Sequence, residues 1–422
     1  MPSSRRRLPM IFAALWFVNL SACAPAPAAD GPSWPRFHGP NGDNISTETG
    51  LLKEWPEDGP KLLWTAKGVG AGFAGVTVGG GLVFTSGNKD DATMLTALDL
   101  AGQTKWQAAN GGPWTKDFPG TRGTPTLDGD RLYHLSPLGE LGCFDAQTGK
   151  KHWSVNVLEK FNAENIRWAL AESLVLDGDR ILCCPGGPDT AIVALSKKDG
   201  AVVWKSPSAG DAAGYCTPAL TTVDGLRMVV ALSAKAVIAV NADNGELLWR
   251  HPHETAYDVN VLTPICRDGQ VFVSTGYGAG AVMLKVKVEG KKASVEKLWD
   301  SKEMDNHHGG VILRDGCLFG TTHNANRDKM VCLDWKTGQM KWAERGVGKG
   351  SATVADGLFY TLSEKSQMGL ARATPEKFEL ISKFKLPADG EGPSWAHPVV
   401  CGGRLYVRHG DCVFAFDVKA TP

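Results

Sequence analysis

The side chains with the clearest capacity for binding recur along this chain at a regular interval. Most are aromatic, cationic or able to donate hydrogen bonds, which suits stacking on a flat ring and charge-assisted bonds to carboxylates or carbonyls. They indicate a flat or polyhydroxylated ligand, although each polar residue could instead bond water or neighbouring backbone. The candidate ligand-binding residues are Arg122, Arg167, Trp168, Glu172, Tyr215, Asn260, Tyr277, His307, His308, Lys349, Trp395 and His397, with Phe73 in the matching position of the first repeat.

The adjacent histidines His307 and His308 raise the question of a metal site. In an extended chain neighbouring side chains point in opposite directions, so two adjacent histidines rarely hold one ion. No third ligand can be identified by its spacing in the sequence. We therefore predict no metal site.

No catalytic residue can be assigned from motifs. The sequence lacks a G-x-S-x-G elbow, an H-E-x-x-H helix, a P-loop and a CxxCH haem attachment. The stretches GVGAGFAG and GYGAGAV are rejected as dinucleotide loops, because neither opens a helix after a parallel strand. Asp117 and Glu172 are carboxylates that could act as a base, and Glu172 could equally pair with Arg122 or Arg167.

The elements that must position these residues are identified by a repeated phrase. It combines an apolar pair, a polar residue, a turn containing Gly and a final Trp. The copies are ALDLAGQTKW (97–106), CFDAQTGKKHW (143–153), ALSKKDGAVVW (194–204), AVNADNGELLW (239–249) and CLDWKTGQMKW (332–342). Trp64, Trp299 and Phe384 end degenerate copies, and a period in the forties with strand-like units is typical of a β-propeller.

Each copy of the repeat predicts a four-stranded blade. In the second repeat, one hairpin turns at Asp128-Gly129 and another at Thr148-Gly149. Asp-Gly between alternating apolar residues is a strong hairpin signal, and Gly supplies the positive φ of such turns. We expect the Trp on the outer strand to cover the junction with the next blade, because a lone blade cannot bury both of its faces.

Each predicted blade begins with a hairpin, and eight such hairpins can be counted, with turns from Gly79-Gly80 to Gly402-Gly403. The last blade ends without the outer strand that carries Trp. A strand of this type, with Trp64, instead lies at 61–66, before the first blade. We therefore predict an all-β fold: an eight-bladed β-propeller of four-stranded antiparallel blades, closed by an N-terminal strand that completes the last blade. The candidate binding residues then fall on the inter-blade connections and middle loops at one end of the ring.

The phrase A-x-D-x-x-T-G-x-x-x-W resembles the repeat of pyrroloquinoline-quinone (PQQ) type propellers. This family includes quinoprotein alcohol dehydrogenases and the outer-membrane assembly lipoprotein BamB. The resemblance covers about residues 60–420 and is specific for the fold and weak for function, because the phrase is structural. The leader at 33–64 also looks like the start of exported single-propeller proteins.

The quinoprotein side of this resemblance implies PQQ with calcium as a cofactor. Such a site needs an aromatic floor, cations for the cofactor's carboxylates, oxygen ligands for calcium and a carboxylate base. The corresponding residues would be Trp168 or Trp395 for the floor, Arg122 and Lys349 for the carboxylates, and Glu172 and Asn260 for calcium. Some of these enzymes carry a vicinal disulfide. For Cys183 and Cys184 we favour two thiols, since adjacent strand residues point to opposite faces.

The first residues have the pattern of an export signal. Arg5, Arg6 and Arg7 precede an apolar run, Leu8–Leu20, that is too short to span a bilayer. The following Cys23 completes a sequence that resembles a bacterial lipobox. We predict a signal peptide at 1–22, lipidation of Cys23, an N-terminal extension at 23–59 and the propeller at 60–422. This places the protein in the periplasm on a lipid anchor, with secreted or soluble periplasmic export as the alternative.

The charge of the chain gives no reason to expect nucleic acid as a partner. It has 45 basic and 45 acidic side chains, and removal of 1–22 leaves 42 basic against 45 acidic. The partners we expect are an envelope protein, a small molecule or a polysaccharide. We expect a monomer that touches the membrane only through its lipid anchor.

Three functions fit these observations. We favour a BamB-like binding or scaffold protein of the cell envelope, because of the lipobox, the compact blades and the lack of a cytochrome domain or long catalytic insertions. The second is a quinoprotein dehydrogenase that oxidises an alcohol or sugar with PQQ and calcium. The third is a carbohydrate or metabolite binding propeller, which the same residues support equally well.

Overall fold

The computed structural model describes residues 31–420 of the chain. Within this range thirty-two strands form eight four-stranded antiparallel sheets. The eight-bladed β-propeller predicted from the repeat is therefore confirmed. The export signal and Cys23 lie outside the described residues.

The first four blades are built from strands that follow one another along the chain, from the central channel outwards. The chain enters the ring with β1 (Leu62–Lys67) and forms blade 1 from β2 (Thr77–Gly79), β3 (Leu82–Lys89), β4 (Ala92–Asp99) and β5 (Thr104–Ala109). Blade 2 contains β6 (Thr126–Asp128), β7 (Arg131–Leu135), β8 (Glu140–Asp145) and β9 (Lys151–Asn156). Blade 3 contains β10 (Val175–Asp177), β11 (Arg180–Cys183), β12 (Val193–Ser196) and β13 (Val202–Lys205). Blade 4 contains β14 (Ala219–Val223), β15 (Leu226–Leu232), β16 (Ala236–Asn241) and β17 (Leu247–Pro252).

The second half of the ring repeats this pattern. Blade 5 contains β18 (Ile265–Arg267), β19 (Gln270–Thr275), β20 (Gly280–Glu289) and β21 (Lys292–Ser301). Blade 6 contains β22 (Val311–Arg314), β23 (Cys317–Thr321), β24 (Lys329–Asp334) and β25 (Met340–Arg345). Blade 7 contains β26 (Gly350–Ala355), β27 (Leu358–Ser363), β28 (Gln367–Ala373) and β29 (Phe378–Lys385). Blade 8 contains β30 (Val399–Cys401), β31 (Arg404–His409) and β32 (Cys412–Asp417). Two single turns of helix, α1 (Val157–Lys160) and a 3-10 turn (Ala256–Asp258), lie in connections.

The ring closes through the N-terminal strand, as the strand with Trp64 predicted. Strand β1 pairs antiparallel with β32, so that blade 8 receives its outer strand from the start of the chain. The Asp411 carboxylate, in the turn before β32, accepts the backbone N–H groups of Gly68 and Gly70 just after β1. These bonds fix the point where the two ends of the ring meet.

The repeated Trp packs on the repeated Gly of the following blade. The ring of Trp204 lies against Gly245, where an added Cβ would come 2.6 Å from a ring carbon, and its Nε1–H donates to the Ala242 carbonyl at 3.1 Å. The same pairs of ring and glycine are Trp64–Gly102, Trp106–Gly149, Trp153–Gly200, Trp299–Gly338 and Phe384–Gly59. The glycine of the phrase therefore serves both the positive φ of its own turn and the ring of the preceding blade.

Trp249 departs from this pattern. The outer hairpin of blade 5, β20–β21, has two ten-residue strands and turns at Gly290, which contacts no ring. Among the residues that the structure describes, the buried Nε1–H of Trp249 has no hydrogen-bond acceptor. The blade 4–blade 5 junction is thus sealed by apolar packing without the usual hydrogen bond.

The N-terminal extension crosses the central channel. Through Trp34 it pairs with β2 of blade 1, and through Ser46 it donates to β26 of blade 7. Between these ends, Phe37 and His38 line two cavities, one toward the inter-blade connections and one along the inner strands. This partition could not be expected from the sequence, because residues 23–59 carry none of the repeat.

The nine cysteines among the described residues are free thiols, and eight of them are buried. Cys183 and Cys184 are accordingly two thiols, as we favoured. Most of these cysteines act as small buried apolar side chains of the blades.

Within residues 31–420, no helix has both the length and the apolar character needed to cross a membrane.

Candidate functional site

A cavity of about 280 Å³ lies at the end of the channel where the inter-blade connections meet. Its walls are mainly apolar and include seven Phe, Trp or Tyr residues, and Phe37 and His38 of the extension contribute to its lining. The structure brings together most of the candidate binding residues here. Those that line the cavity are Phe73, Arg122, Trp168, Tyr215, Tyr277, His307, His308, Lys349, Trp395 and His397.

The ring places these residues together because most precede an innermost strand by a few positions. The innermost strands stand side by side around the channel, so residues far apart in sequence converge at one end. Three threonines donate a side-chain hydroxyl to the backbone that leads into the next blade. They are Thr77 to the Pro125 carbonyl, Thr126 to the Leu174 carbonyl and Thr353 to the Pro398 carbonyl.

The side chains of Glu172 and Asn260, which were also predicted to bind a ligand, lie outside the lining of this cavity. The Glu172 carboxyl is buried behind the wall, where Oε2 accepts the backbone N–H of Cys184 at 2.9 Å. The Asn260 amide is used by the backbone: its Nδ2 donates to the carbonyls of Ser233, Ala234 and His253. Sequence position identified the right connections, but the side chains at these two positions turn into the protein.

Arg167 and Asp117 also lie outside the cavity lining. The Arg167 guanidinium is exposed and stacks on the outer side of Trp168, 4.6 Å from the ring centroid. Asp117 is exposed in the connection from blade 1 to blade 2. Arg167 therefore packs against a lining residue, Trp168. Asp117 is not placed in the cavity, where a base would have to act.

Aromatic rings contact one another around the mouth of the cavity. On one side the Trp395 ring packs against Phe73 at 4.6 Å and Phe118 at 5.0 Å between centroids. On the other side Tyr257 lies between Trp168 and Tyr277, with edge contacts to both. A flat ligand would find stacking partners on opposite walls.

Three of these rim aromatics hold a left-handed backbone. Phe118 has φ 53°, Tyr257 has φ 64° and Tyr277 has φ 60°. A bulky residue at positive φ is strained, and such residues cluster at functional sites. The rim is thus built with an unusual conformation that presents large rings at the cavity mouth.

Arg122 brings a positive charge into the wall without an acidic counterpart. Its guanidinium donates to the carbonyls of Gly120 and Phe118, at 2.9 and 2.8 Å, and stacks over Phe73. Among the described residues, no carboxylate lies within ion-pair distance of it. Burial lowers the pKa of Arg122 to about 10, which leaves it charged at neutral pH. A partly buried positive charge without an acidic partner favours an anionic ligand.

Glu364 is the centre of a second polar group of the lining, beside Trp395. Its Oε1 accepts a hydrogen bond from Trp395 Nε1 at 2.9 Å and lies 2.9 Å from Lys349 Nζ. Lys349 Nζ also lies 3.1 Å from His307 Nδ1. His308 Nε2 is 3.2 Å from the same Glu364 oxygen, although without hydrogen-bond alignment. Sequence reasoning missed Glu364, which lies in the short turn between β27 and β28.

The histidines of this group are neutral at neutral pH. Burial, followed by the charge of Lys349, lowers the pKa of His307 to about 3. Burial and the neighbouring His307 hold the pKa of His308 well below its usual range. Burial also lowers the pKa of His397 to about 4. Neutral imidazoles keep a free nitrogen lone pair, which is the form that accepts hydrogen bonds or binds metals.

The buried Asp305 holds two loops of the site in place. Its carboxylate accepts the backbone N–H of Gly278 and those of His323, Asn324 and Ala325. These bonds tie the loop that carries Tyr277 to the loop that carries His323. Asp305 is fully buried, so it acts on the site through position and not through ligand contact.

Glu172 gives a prediction for the pH dependence of stability. Burial raises the pKa of its carboxyl from 4.5 to about 8. Between these values the folded protein keeps a proton that the unfolded chain has released, so this group's contribution is full below pH 4.5 and is lost as the pH rises through 8. The wild type should lose stability relative to Glu172→Gln from pH 5 to pH 8, by up to about 1.4 kcal/mol per pH unit. Urea unfolding of both proteins at several pH values measures this. Parallel stability profiles would contradict it.

The other residues that sequence reasoning missed come from outside the repeat. Phe37 and His38 belong to the extension, and His38 stacks on Phe37 with centroids 3.8 Å apart. Phe118 lies in the connection between blades 1 and 2, between β5 and β6. Nothing in the sequence indicated that the extension enters the channel.

Comparison with known families identifies one match. A family model described as "Outer membrane protein assembly factor BamB" matches residues 94–344, which is more than half of the chain. A curated relative with that name from Yersinia pestis is 22% identical over 261 residues, or 58% of this chain and 62% of the relative. The chain thus spans less than two thirds of that relative. The quinoprotein alcohol dehydrogenase PedH of Pseudomonas putida is 25% identical over 32% of this chain and 23% of its own length.

Solved structures share the fold at low sequence identity. The crystal structure of BamB from Moraxella catarrhalis superposes with a TM-score of 0.59 and 14% identity, covering 86% of this chain and 98% of that one. The quinohemoprotein alcohol dehydrogenase from Comamonas testosteroni superposes with a TM-score of 0.61 and 11% identity, covering 93% and 81%. At these identities the likeness concerns the architecture of the blades alone.

Proposed function

The chain belongs to the family described as outer membrane protein assembly factor BamB, and from this premise we propose that it is a binding protein of the cell envelope. Its binding site is the cavity at the connection end of the ring. The ligand is a flat molecule that carries a carboxylate. Arg122 contacts the anionic group, and the aromatic rings of the rim stack on its plane.

The observation that carries this proposal is Arg122, a partly buried guanidinium in the cavity lining that has no acidic partner among the described residues. Its guanidinium donates to two backbone carbonyls and so retains N–H donors for an anion. Lys349, by contrast, already contacts Glu364. The left-handed rim residues Phe118 and Tyr277 support the same conclusion, because strain of this kind is maintained where it serves a site.

The location in the envelope rests on the leader pattern and on the family. The arginines and apolar run of 1–22 fit an export signal, and Cys23 fits lipid attachment. The curated relatives carry the name of an outer membrane protein assembly factor. An envelope protein partner would contact the same loop-bearing end of the ring, where the chain varies most from blade to blade.

A fluorescence titration tests the proposed site. PQQ serves as the probe, because it is flat and carries carboxylates, and it is added to the purified chain while tryptophan emission is followed. We expect a saturable quench. Arg122→Gln should weaken binding by roughly 10- to 100-fold, since a charge-assisted hydrogen bond contributes about 1.5–3 kcal/mol.

Arg167→Gln is the matched control for this titration. It removes the same charge from a residue in the next connection that stacks outside the cavity, so the affinity for PQQ should stay within a few-fold of wild type. Thermal unfolding of both variants checks the fold. Equal affinity in Arg122→Gln and wild type, or no binding well above micromolar PQQ, would reject the proposed site.

A quinoprotein dehydrogenase is the second candidate, favoured by a carboxylate, Glu364, in the same cavity as the aromatic rings. PQQ itself has stacking partners and cations here, in Trp395, Arg122 and Lys349. Calcium does not fit, because it takes six to eight oxygen ligands and Glu364 is the one carboxylate of the lining, held by Lys349. The titration should therefore give the same PQQ affinity with and without Ca²⁺. A calcium-dependent quench would favour the dehydrogenase.

A further inference from the structure

Two histidines and a glutamate converge on one point of the cavity wall. One ligand atom from each of His307, His308 and Glu364 lies within 4.8 Å of the others. Both ring nitrogens of His308 are buried without a hydrogen-bond partner among the described residues. Orphaned buried nitrogens of this kind are rare and call for an explanation.

The local backbone explains how adjacent histidines can face the same side. Residues 302–310 form an irregular connection between β21 and β22, and not an extended strand. The ring centroids of His307 and His308 lie 5.2 Å apart with an interplanar angle of 42°. The prediction that they would point in opposite directions was wrong because it assumed strand geometry.

Glu364 is held in position from both sides. Its backbone N–H donates to the Lys349 carbonyl at 2.9 Å, and its own carbonyl accepts the N–H of Ser394 at 3.1 Å. Trp395 Nε1 fixes the carboxylate oxygen. The third ligand is thus preorganised by neighbouring elements of blades 7 and 8.

We propose that His307, His308 and Glu364 bind a first-row divalent metal ion, with Zn²⁺ as the best match to two imidazole nitrogens and one carboxylate oxygen. Three protein ligands leave a fourth coordination position free, which is the pattern of zinc sites that accept an exogenous ligand. All three ligands line the cavity, so this position opens into it. The ion would then contribute a second point of attachment for an anionic ligand, besides Arg122.

Lys349 supplies the positive charge of this site when no ion is bound. Its ammonium contacts two of the three ligands, at 2.9 Å from Glu364 Oε1 and 3.1 Å from His307 Nδ1. An ion in the same place requires the ammonium to leave, which a flexible four-carbon side chain permits. Metal affinity is therefore reduced by competition from Lys349, and removal of this charge should increase it.

A Co²⁺ titration tests the site in the absence of any organic ligand. The purified chain is treated with a chelator, titrated with Co²⁺ while visible absorption is followed, and then titrated with Zn²⁺ as a competitor. We expect one ion per chain and loss of the cobalt bands on addition of Zn²⁺. Glu364→Gln and His307→Gln should each weaken Co²⁺ binding by at least roughly tenfold. Mutation of a residue that only hydrogen-bonds to a metal ligand already lowers metal affinity by about that factor. Lys349→Met should strengthen binding several-fold.

His152→Gln is the control, because His152 is exposed on the outer strand β9. It should bind Co²⁺ as the wild type does, and circular dichroism shows that each variant is folded. Equal titrations for wild type and Glu364→Gln would mean that the ion binds elsewhere. Weaker binding by Lys349→Met would also overturn the proposal. Neither outcome affects the PQQ titration of Arg122, so the two proposals fail separately.

Discussion

Replacing Trp204 by alanine is expected to lower the free energy of unfolding by about 3–5 kcal/mol. The Trp204 side chain is 7% exposed and packs between blades 3 and 4. Its ring covers Gly245, and its Nε1–H donates to the Ala242 carbonyl of blade 4. The substitution removes this area and leaves a cavity at a blade junction that the glycine cannot fill. Urea unfolding followed by circular dichroism measures the change.

Val203→Ala is the control for this prediction. Val203 precedes Trp204 on the same strand, β13, but is 52% exposed. Its substitution should change the free energy of unfolding by less than about 0.5 kcal/mol, as surface changes generally do. Similar losses for the two variants would show that the strand itself is sensitive. The repeated Trp would then not be the seal between blades.

Removal of residues 31–67 should lower the free energy of unfolding more than any single tryptophan substitution does. The deletion takes away β1 and leaves the edge of β32 unpaired. It also removes Leu51 and Trp55, which are buried against blades 7 and 8. We expect the free energy of unfolding to fall by more than roughly 5 kcal/mol, the upper range for one large aromatic. The loss should be concentrated at the far end of the chain.

Amide hydrogen exchange locates the effect of this deletion. In the chain that begins at Gly68, the amides of β30, β31 and β32 should exchange much faster than those of blades 3 and 4. A chain that begins at Gly31 is the matched control and should keep full protection, because it retains β1. Uniform protection in the shorter chain would mean that the ring does not depend on its N-terminal strand for closure.

The blades could be predicted from the sequence because each one repeats the same local chemistry. The turn glycines, the alternating apolar residues and the final Trp act within one blade or between neighbours. Even the closure by 61–66 followed from simple counting of strands. Trp249 shows the limit of this reasoning, since its partner turn is displaced by the longer hairpin of blade 5.

The site could be predicted only in part, because its members depend on side-chain direction and on elements outside the repeat. Glu172 and Asn260 lie in the right connections, but their side chains turn inward to bond backbone. Phe37 enters the cavity from a segment with no periodic signal. To predict Glu364 one would have to know that a middle loop of blade 7 meets the connection that carries His308. Such contacts arise from the closed ring and have no counterpart in local sequence patterns.

The course of the N-terminal extension has a consequence for how the ring would face a bilayer if Cys23 carried a lipid. Pro32 lies beside Gly402, in a hairpin turn at the end of the ring opposite the cavity. Seven residues lie between Cys23 and Gly31, so the tether is at most about 29 Å long. With the proposed lipid on Cys23, the hairpin turns would face the membrane surface and the cavity would open toward the aqueous side. The protein would then meet its ligand or partner from solution, with its rim of aromatic side chains directed away from the lipid.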